Sequence, residues 1–279
     1  MSLLQSPTGT IDLLEWGNGD ELFVMLHASA TGPRSLTRLA ELLRHAGRRI
    51  IAPAFVGYGR TQSSAQDVGN RLVTNRSIVG GVLRQQLACR RILFGHSMGG
   101  LIALLTALDE ERRGSPFDAV ILYEPIILGL LDLHRADHAE ADAWDRAVIE
   151  HLAGLVRAGN PDAGVRHFIE AWNETSWDAL PETARQQLIA NADNLVRETA
   201  AVSSQKIDRS ILESFTTPTL LLRGNQSPTL ITLTGEMALN VLPSAHQTVL
   251  SGCGHMAPLL KPEPIAACIE GYLQTLDPQ

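Results

Sequence analysis

The chain has 279 residues, 44% of them apolar, and a formal net charge of -7. That is enough apolar content to bury a large core, without the bias of disordered, collagen-like or coiled-coil chains. The acidic balance argues against nucleic acid as the main partner, because phosphate binding needs clustered Lys and Arg.

The first residues, MSLLQSPTGT, have neither a basic start nor a long apolar core, and no run of 18 apolar residues occurs anywhere. The expectation is a soluble, cytoplasmic protein with no membrane partner. Strand patterns occupy 10–16 and 21–27, with Gly17, Asn18, Gly19 and Asp20 between them reading as a hairpin turn. Leu36, Leu39, Ala40, Leu42 and Leu43 share one face of a helix over 35–46. A strand over 48–52 and a long helix from about 68 to 87 come next. The short apolar run 91–94, with Ile92 and Phe94, is a buried strand, 101–108 a helix and 119–123 another strand. Such alternation is the signature of βαβ units and a parallel sheet.

From 129 to 209 no strand run occurs. Helical stretches follow one another near 139–158, 162–172 and 181–201, and strand-like sequence resumes only at 217–223 and 247–250, before a final helix from about Pro262. The chain therefore divides into an α/β core, 1–128 and 210–279, and a helical cap inserted at 129–209. Trp144, Trp172 and Trp177, three of the four tryptophans, lie in the insertion. They either pack it onto the sheet or line an apolar substrate pocket.

Between the strand at 91–94 and the helix at 101–108 stands "GHSMGG", a G-x-S-x-G in which Ser97 would sit on a strained strand-to-helix turn with its hydroxyl exposed. Gly95 and Gly99 are where a side chain would strike a neighbouring strand or helix. A serine hydroxyl is a poor nucleophile at neutral pH and needs a base, an orienting group and donors for the oxyanion. His255, in the Gly-rich loop "SGCGHMAP" between the last strand and the last helix, is the candidate base. Cys89, Cys253 and Cys268 form neither a C-x-x-C nor a zinc spacing, so metal chemistry finds no support and a reducing compartment fits.

In "FVMLHASATG", "IIAPAFVGYGRT", "GHSMGG" and "GCGHMAPLLKPEP" the chain resembles the α/β-hydrolase fold superfamily over nearly its whole length. The resemblance implies a mostly parallel sheet flanked by helices, with the backbone N–H groups of Ser29 and Met98 as oxyanion donors. It implies a structural role for His27. The family's usual glycine after that histidine is Ala28 here. The commonest place for the acid, the tip of the strand after the insertion, carries only Asn225, Gln226 and Ser227. Some relatives take the acid from the strand that follows the elbow helix, and there Glu124 ends "VILYEP". Glu236 and a Ser–His pair with a neutral orienter are the alternatives.

The reading is a cofactor-free serine hydrolase that cleaves an ester or similar acyl bond of a small, largely uncharged molecule through an acyl-enzyme. The same constellation also resembles C–C bond hydrolases, lactonases, perhydrolases and lyases, and ligand-binding modules that do not turn over.

Overall fold

The computed structural model describes residues 2–6, 9–62, 70–173 and 176–276. Its strands are β1 Ser2–Ser6, β2 Gly9–Trp16, β3 Glu21–Leu26, β4 Arg48–Pro53, β5 Arg90–His96, β6 Ala119–Tyr123, β7 Thr219–Gly224 and β8 Ala245–Leu250. They form one sheet in the order β1-β2-β4-β3-β5-β6-β7-β8. From β4 to the β8 edge all neighbours are parallel, whereas β2 is antiparallel to both β1 and β4.

The helices are α1 Thr37–Leu43, α2 Arg71–Leu83, α3 Met98–Arg112, α4 Ala136–Arg157, α5 Pro161–Trp172, α6 Glu182–Ala190, α7 Ala192–Ser203, α8 Arg209–Glu213, α9 Thr229–Val241, α10 Ala257–Leu260 and α11 Pro262–Leu276. The two-residue period of a strand sorts the core. Leu22, Val24 and Leu26 of β3 join the cluster under α2, α3 and α9, while Phe23 and Met25 join the cluster under α1, α10 and α11. Both faces of the sheet are thus covered, which is why its central strands are continuous apolar runs.

Between β6 and β7 the described residues form α4 to α8 and no strand. A third apolar cluster, including Leu152, Val165, Trp177 and Leu195, binds α4, α5 and α7 to one another.

Two local expectations differ from the structure, a third falls outside the described residues, and one strand carries no clear signal in the sequence. The segment between β2 and β3 is not a hairpin, because the two strands do not pair and β4 lies between them. The glycines serve a crossing instead: a Cβ on Gly19 would fall 2.0 Å from the Gly47 carbonyl at the entrance to β4. The helix expected over 181–201 is broken at Asn191, whose φ of -100° and ψ of 11° end α6 and begin α7. The start expected near Val68 lies outside the described residues, and α2 is described from Arg71. Finally, β1 pairs along β2 as an edge strand, although its five residues carry no apolar alternation long enough to announce it.

Candidate active site

Ser97 occupies the corner between β5 and α3 with φ 56° and ψ -119°. A left-handed, non-glycine residue is costly and survives only where its surroundings fix it. Here the Ser97 N–H donates to the Tyr123 carbonyl at 3.0 Å. A Cβ on Gly95 would lie 2.3 Å from the Gly99 carbonyl oxygen, and one on Gly99 would lie 2.5 Å from the carbonyl oxygens of Leu26 and His27. The elbow can form only because both positions lack a side chain.

The Ser97 hydroxyl lies 3.0 Å from Nε2 of His255, and Nδ1 of His255 lies 2.7 Å from Oε2 of Glu124. Three residues far apart in the chain therefore make one hydrogen-bonded line at the carboxyl ends of β5, β6 and β8. Glu124 is 1% exposed. Its other oxygen, Oε1, accepts from the Gly224 N–H at 2.7 Å and from the Ser227 hydroxyl at 2.5 Å. A buried carboxylate held by three donors is fixed in its orientation. Its backbone φ of 48° turns the side chain across the end of β7.

The loop carrying His255 is pinned by two side chains that sequence reasoning passed over. Nε2–H of His96 donates to the His255 carbonyl at 2.8 Å, and the Tyr123 hydroxyl donates to the Gly254 carbonyl at 2.7 Å. Burial, and then the neighbouring His255, hold His96 well below the usual imidazole range, so it serves as a neutral donor. Its place directly before Ser97 was the signal available. Asn225 does not touch the imidazole: its Oδ1 accepts from the Gly252 N–H at 2.8 Å. Glu236 is exposed on α9.

On the other side of Ser97 stands the loop after β3. His27 donates from Nδ1 to the Ala28 carbonyl at 2.8 Å and accepts the Phe55 N–H on Nε2 at 3.2 Å. Burial drives it down to about 4, so it is a neutral brace. The left-handed residue of this loop is Ala30, with φ 64°, and not Ala28. Ser29 and Met98 both line the same cavity as Ser97, and Met98 is the first residue of α3, where backbone N–H groups lack an intrahelical partner.

Glu198 of α7 ties the inserted helices to this loop. The Tyr58 hydroxyl accepts from the Ala30 N–H at 2.7 Å and donates to Glu198 at 2.8 Å, while Asn194 donates to the same carboxyl at 3.1 Å. Burial pushes Glu198 up to about 8, against the pull of its bonds to Tyr58, Ser29 and Asn194. Between the unfolded value of 4.5 and about 8, the folded protein then holds a proton that the unfolded chain releases, so stability falls as pH rises through this window. Glu198→Gln removes that titration. Its melting temperature should exceed the parent's by about 5 °C more at pH 8 than at pH 5, on the scale of a few kcal/mol for such a shift. Parallel melting curves for the two proteins across that range would show that Glu198 stays ionised when folded.

Ser97 and His255 open onto a cavity of about 710 Å³. Its walls are mainly apolar, with Phe168 and Trp172 of α5 and Ile149 of α4 among them. Of the three insertion tryptophans only Trp172 lines it, with its ring centroid 5.0 Å from that of His255. Trp144 stacks behind Trp172 at 5.3 Å and faces a separate depression. Trp177 is 4% exposed within the cluster that joins α4, α5 and α7, and is a packing residue. Helical periodicity shows that such residues are buried, not against what. Among the described residues no three His, Cys, Asp or Glu side chains form a group that could hold a metal ion, and no helix is long and apolar enough to cross a membrane.

A family model described as "Alpha/beta hydrolase family" matches residues 23–268. A 2-hydroxy-6-oxononadienedioate/2-hydroxy-6-oxononatrienedioate hydrolase of Cupriavidus pinatubonensis is 28% identical over 255 residues, which cover 86% of this chain and 82% of that protein. Among solved structures, MenH from S. aureus superposes with a TM-score of 0.74 at 17% identity, covering 95% of this chain and 98% of its own. The esterase EaEST from Exiguobacterium antarcticum gives 0.74 at 20% identity, covering 98% and 99%. At these identities the two structures speak for the fold alone.

Proposed function

The chain belongs to the alpha/beta hydrolase family, and from that premise we propose that it is a cofactor-free serine hydrolase that cleaves an ester or similar acyl bond of a small, largely uncharged molecule. The observation that carries this reading is the unbroken line Ser97–His255–Glu124 opening onto a mainly apolar cavity. In it, Nε2 of His255 takes the Ser97 proton as the oxygen attacks the carbonyl. Glu124 holds the Nδ1–H and balances the imidazolium, and the N–H groups of Ser29 and Met98 receive the oxyanion. The imidazolium returns its proton to the leaving alcohol, and a water activated by the same nitrogen then hydrolyses the acyl-enzyme. In this reading residues 129–209 act as a cap over a core of 1–128 and 210–279.

C–C bond hydrolysis on the same triad is the second reading. The Cupriavidus relative, named for a dienedioate, favours it. A dianion, however, needs cationic partners. Arg34, exposed, is the one Lys or Arg among the described residues that line the cavity.

The test is a panel of p-nitrophenyl esters of rising acyl length alongside a 2-hydroxy-6-oxo-dienedioate, with fluorophosphonate labelling of the parent. We expect labelling and ester turnover with a higher kcat/KM than for the dienedioate. The reverse order supports the C–C reading, and no labelling with no turnover supports a binding module.

A further inference from the structure

Asp145 is the cavity residue that the triad does not explain. It sits on α4 in the wall of the cavity that holds Ser97 and His255, and only 2% of its surface is exposed. No donor among the described residues hydrogen-bonds its carboxyl, and its Oδ2 is fully enclosed. The charged group nearest to it in effect is another carboxylate, Asp142, which pairs with Arg146. Burial first, and Asp142 second, push Asp145 up to about 7. Buried carboxyls are as a rule paired, since one without a partner forfeits its hydration for nothing. A carboxyl that costs stability and braces nothing is explained if its partner arrives with the ligand.

On the serine-hydrolase reading above, we propose that Asp145 recognises a part of the substrate other than the scissile carbonyl, and that the substrate carries there a hydrogen-bond donor, a hydroxyl or an ammonium group. The composition of the walls fits both. A hydroxyl would restore the bond the carboxyl lacks, and an ammonium group would in addition meet the rings of Phe168 and Trp172, which line the same cavity. Where Asp145 is ionised it repels an acidic head group. A site built to bond a donor discriminates strongly against an analogue without one, because the buried acceptor is then left bare.

The experiment uses three p-nitrophenyl esters of equal acyl length, ending in a methyl, a hydroxyl or an ammonium group, with the parent, Asp145→Leu and Asp145→Asn. In the parent, kcat/KM for at least one polar ester relative to the methyl ester should exceed the same ratio in Asp145→Leu by at least about tenfold. Asp145→Asn separates the two chemistries: an amide oxygen still accepts from a hydroxyl and keeps that preference, but it cannot balance an ammonium charge and loses that one. If Asp145→Leu does not fold, Asp145→Ala takes its place. Equal ratios in the parent and the apolar variant overturn the proposal. Turnover of the methyl ester with no polar preference overturns it alone. Failure to hydrolyse any of the three overturns the serine-hydrolase reading and this inference with it.

Discussion

Ser97→Ala should fold as the parent does and lose ester turnover by at least about a thousandfold, the scale expected when a nucleophile that acts as part of a unit is removed. The hydroxyl has one hydrogen-bond partner among those described, Nε2 of His255. Its removal therefore leaves no buried group bare except an imidazole nitrogen that faces the cavity. Alanine keeps the Cβ, so the φ of 56° costs the variant what it costs the parent. Thermal melting should be nearly superimposable, and a fluorophosphonate probe that labels the parent should leave the variant unlabelled. Substantial esterase activity in folded Ser97→Ala would mean that another nucleophile, or none, does the chemistry.

That Ser97 stands out in the sequence follows from steric necessity. A sharp strand-to-helix corner admits no side chain at Gly95 or Gly99, so its spacing is written into the chain. The parallel strands are legible for a related reason, because burial on both faces leaves continuous apolar runs such as Ile92 to Phe94. What fails is pairing between elements. The glycines between β2 and β3 carry a local hairpin signal, and nothing in those residues tells that β4 enters between the strands. In the sequence Trp172 and Trp177 are alike as tryptophans of the insertion, yet one faces His255 and the other fills the space between α4, α5 and α7. Asp145 escapes for the opposite reason. In sequence it is one acidic residue on a helix rich in them, and only the lack of a partner sets it apart.

Glu124 lies between these cases. The strand tip after the inserted helices has no carboxylate, and its Asn225 is occupied with the Gly252 N–H. Glu124, one strand nearer Ser97, has a side chain long enough to cross the end of β7, where the Gly224 N–H and the Ser227 hydroxyl receive it. The uncharged tip thus still serves the carboxylate, from a donor's position.

Glu124→Gln should lower kcat by roughly ten-thousandfold with little change in KM, the scale on which a triad fails when its geometry is kept and its acid is not. The reason lies in how the two oxygens are used. Oε1 accepts two donors, while Oε2 accepts one, from His255. The single oxygen of glutamine will stay with the two donors, because turning the amide would point N–H groups at the Gly224 N–H and the Ser227 hydroxyl. Its NH2 group then faces Nδ1 of His255 and donates to it. The imidazole is left with its proton on Nε2, the nitrogen that has to accept from Ser97, and the forming imidazolium loses its counter-charge. Substrate binding should change little, since Glu124 is 1% exposed and lies behind His255, outside the cavity wall. Asn225→Ala is the matched comparison. It frees one loop N–H without touching the imidazole, and should change kcat by less than about tenfold. Both are measured as ester turnover in protein whose circular dichroism matches the parent. Near-parental kcat in Glu124→Gln would remove the carboxylate from the mechanism, and the tautomer of His255 would then have to be set by the loop that His96 and Tyr123 hold in place.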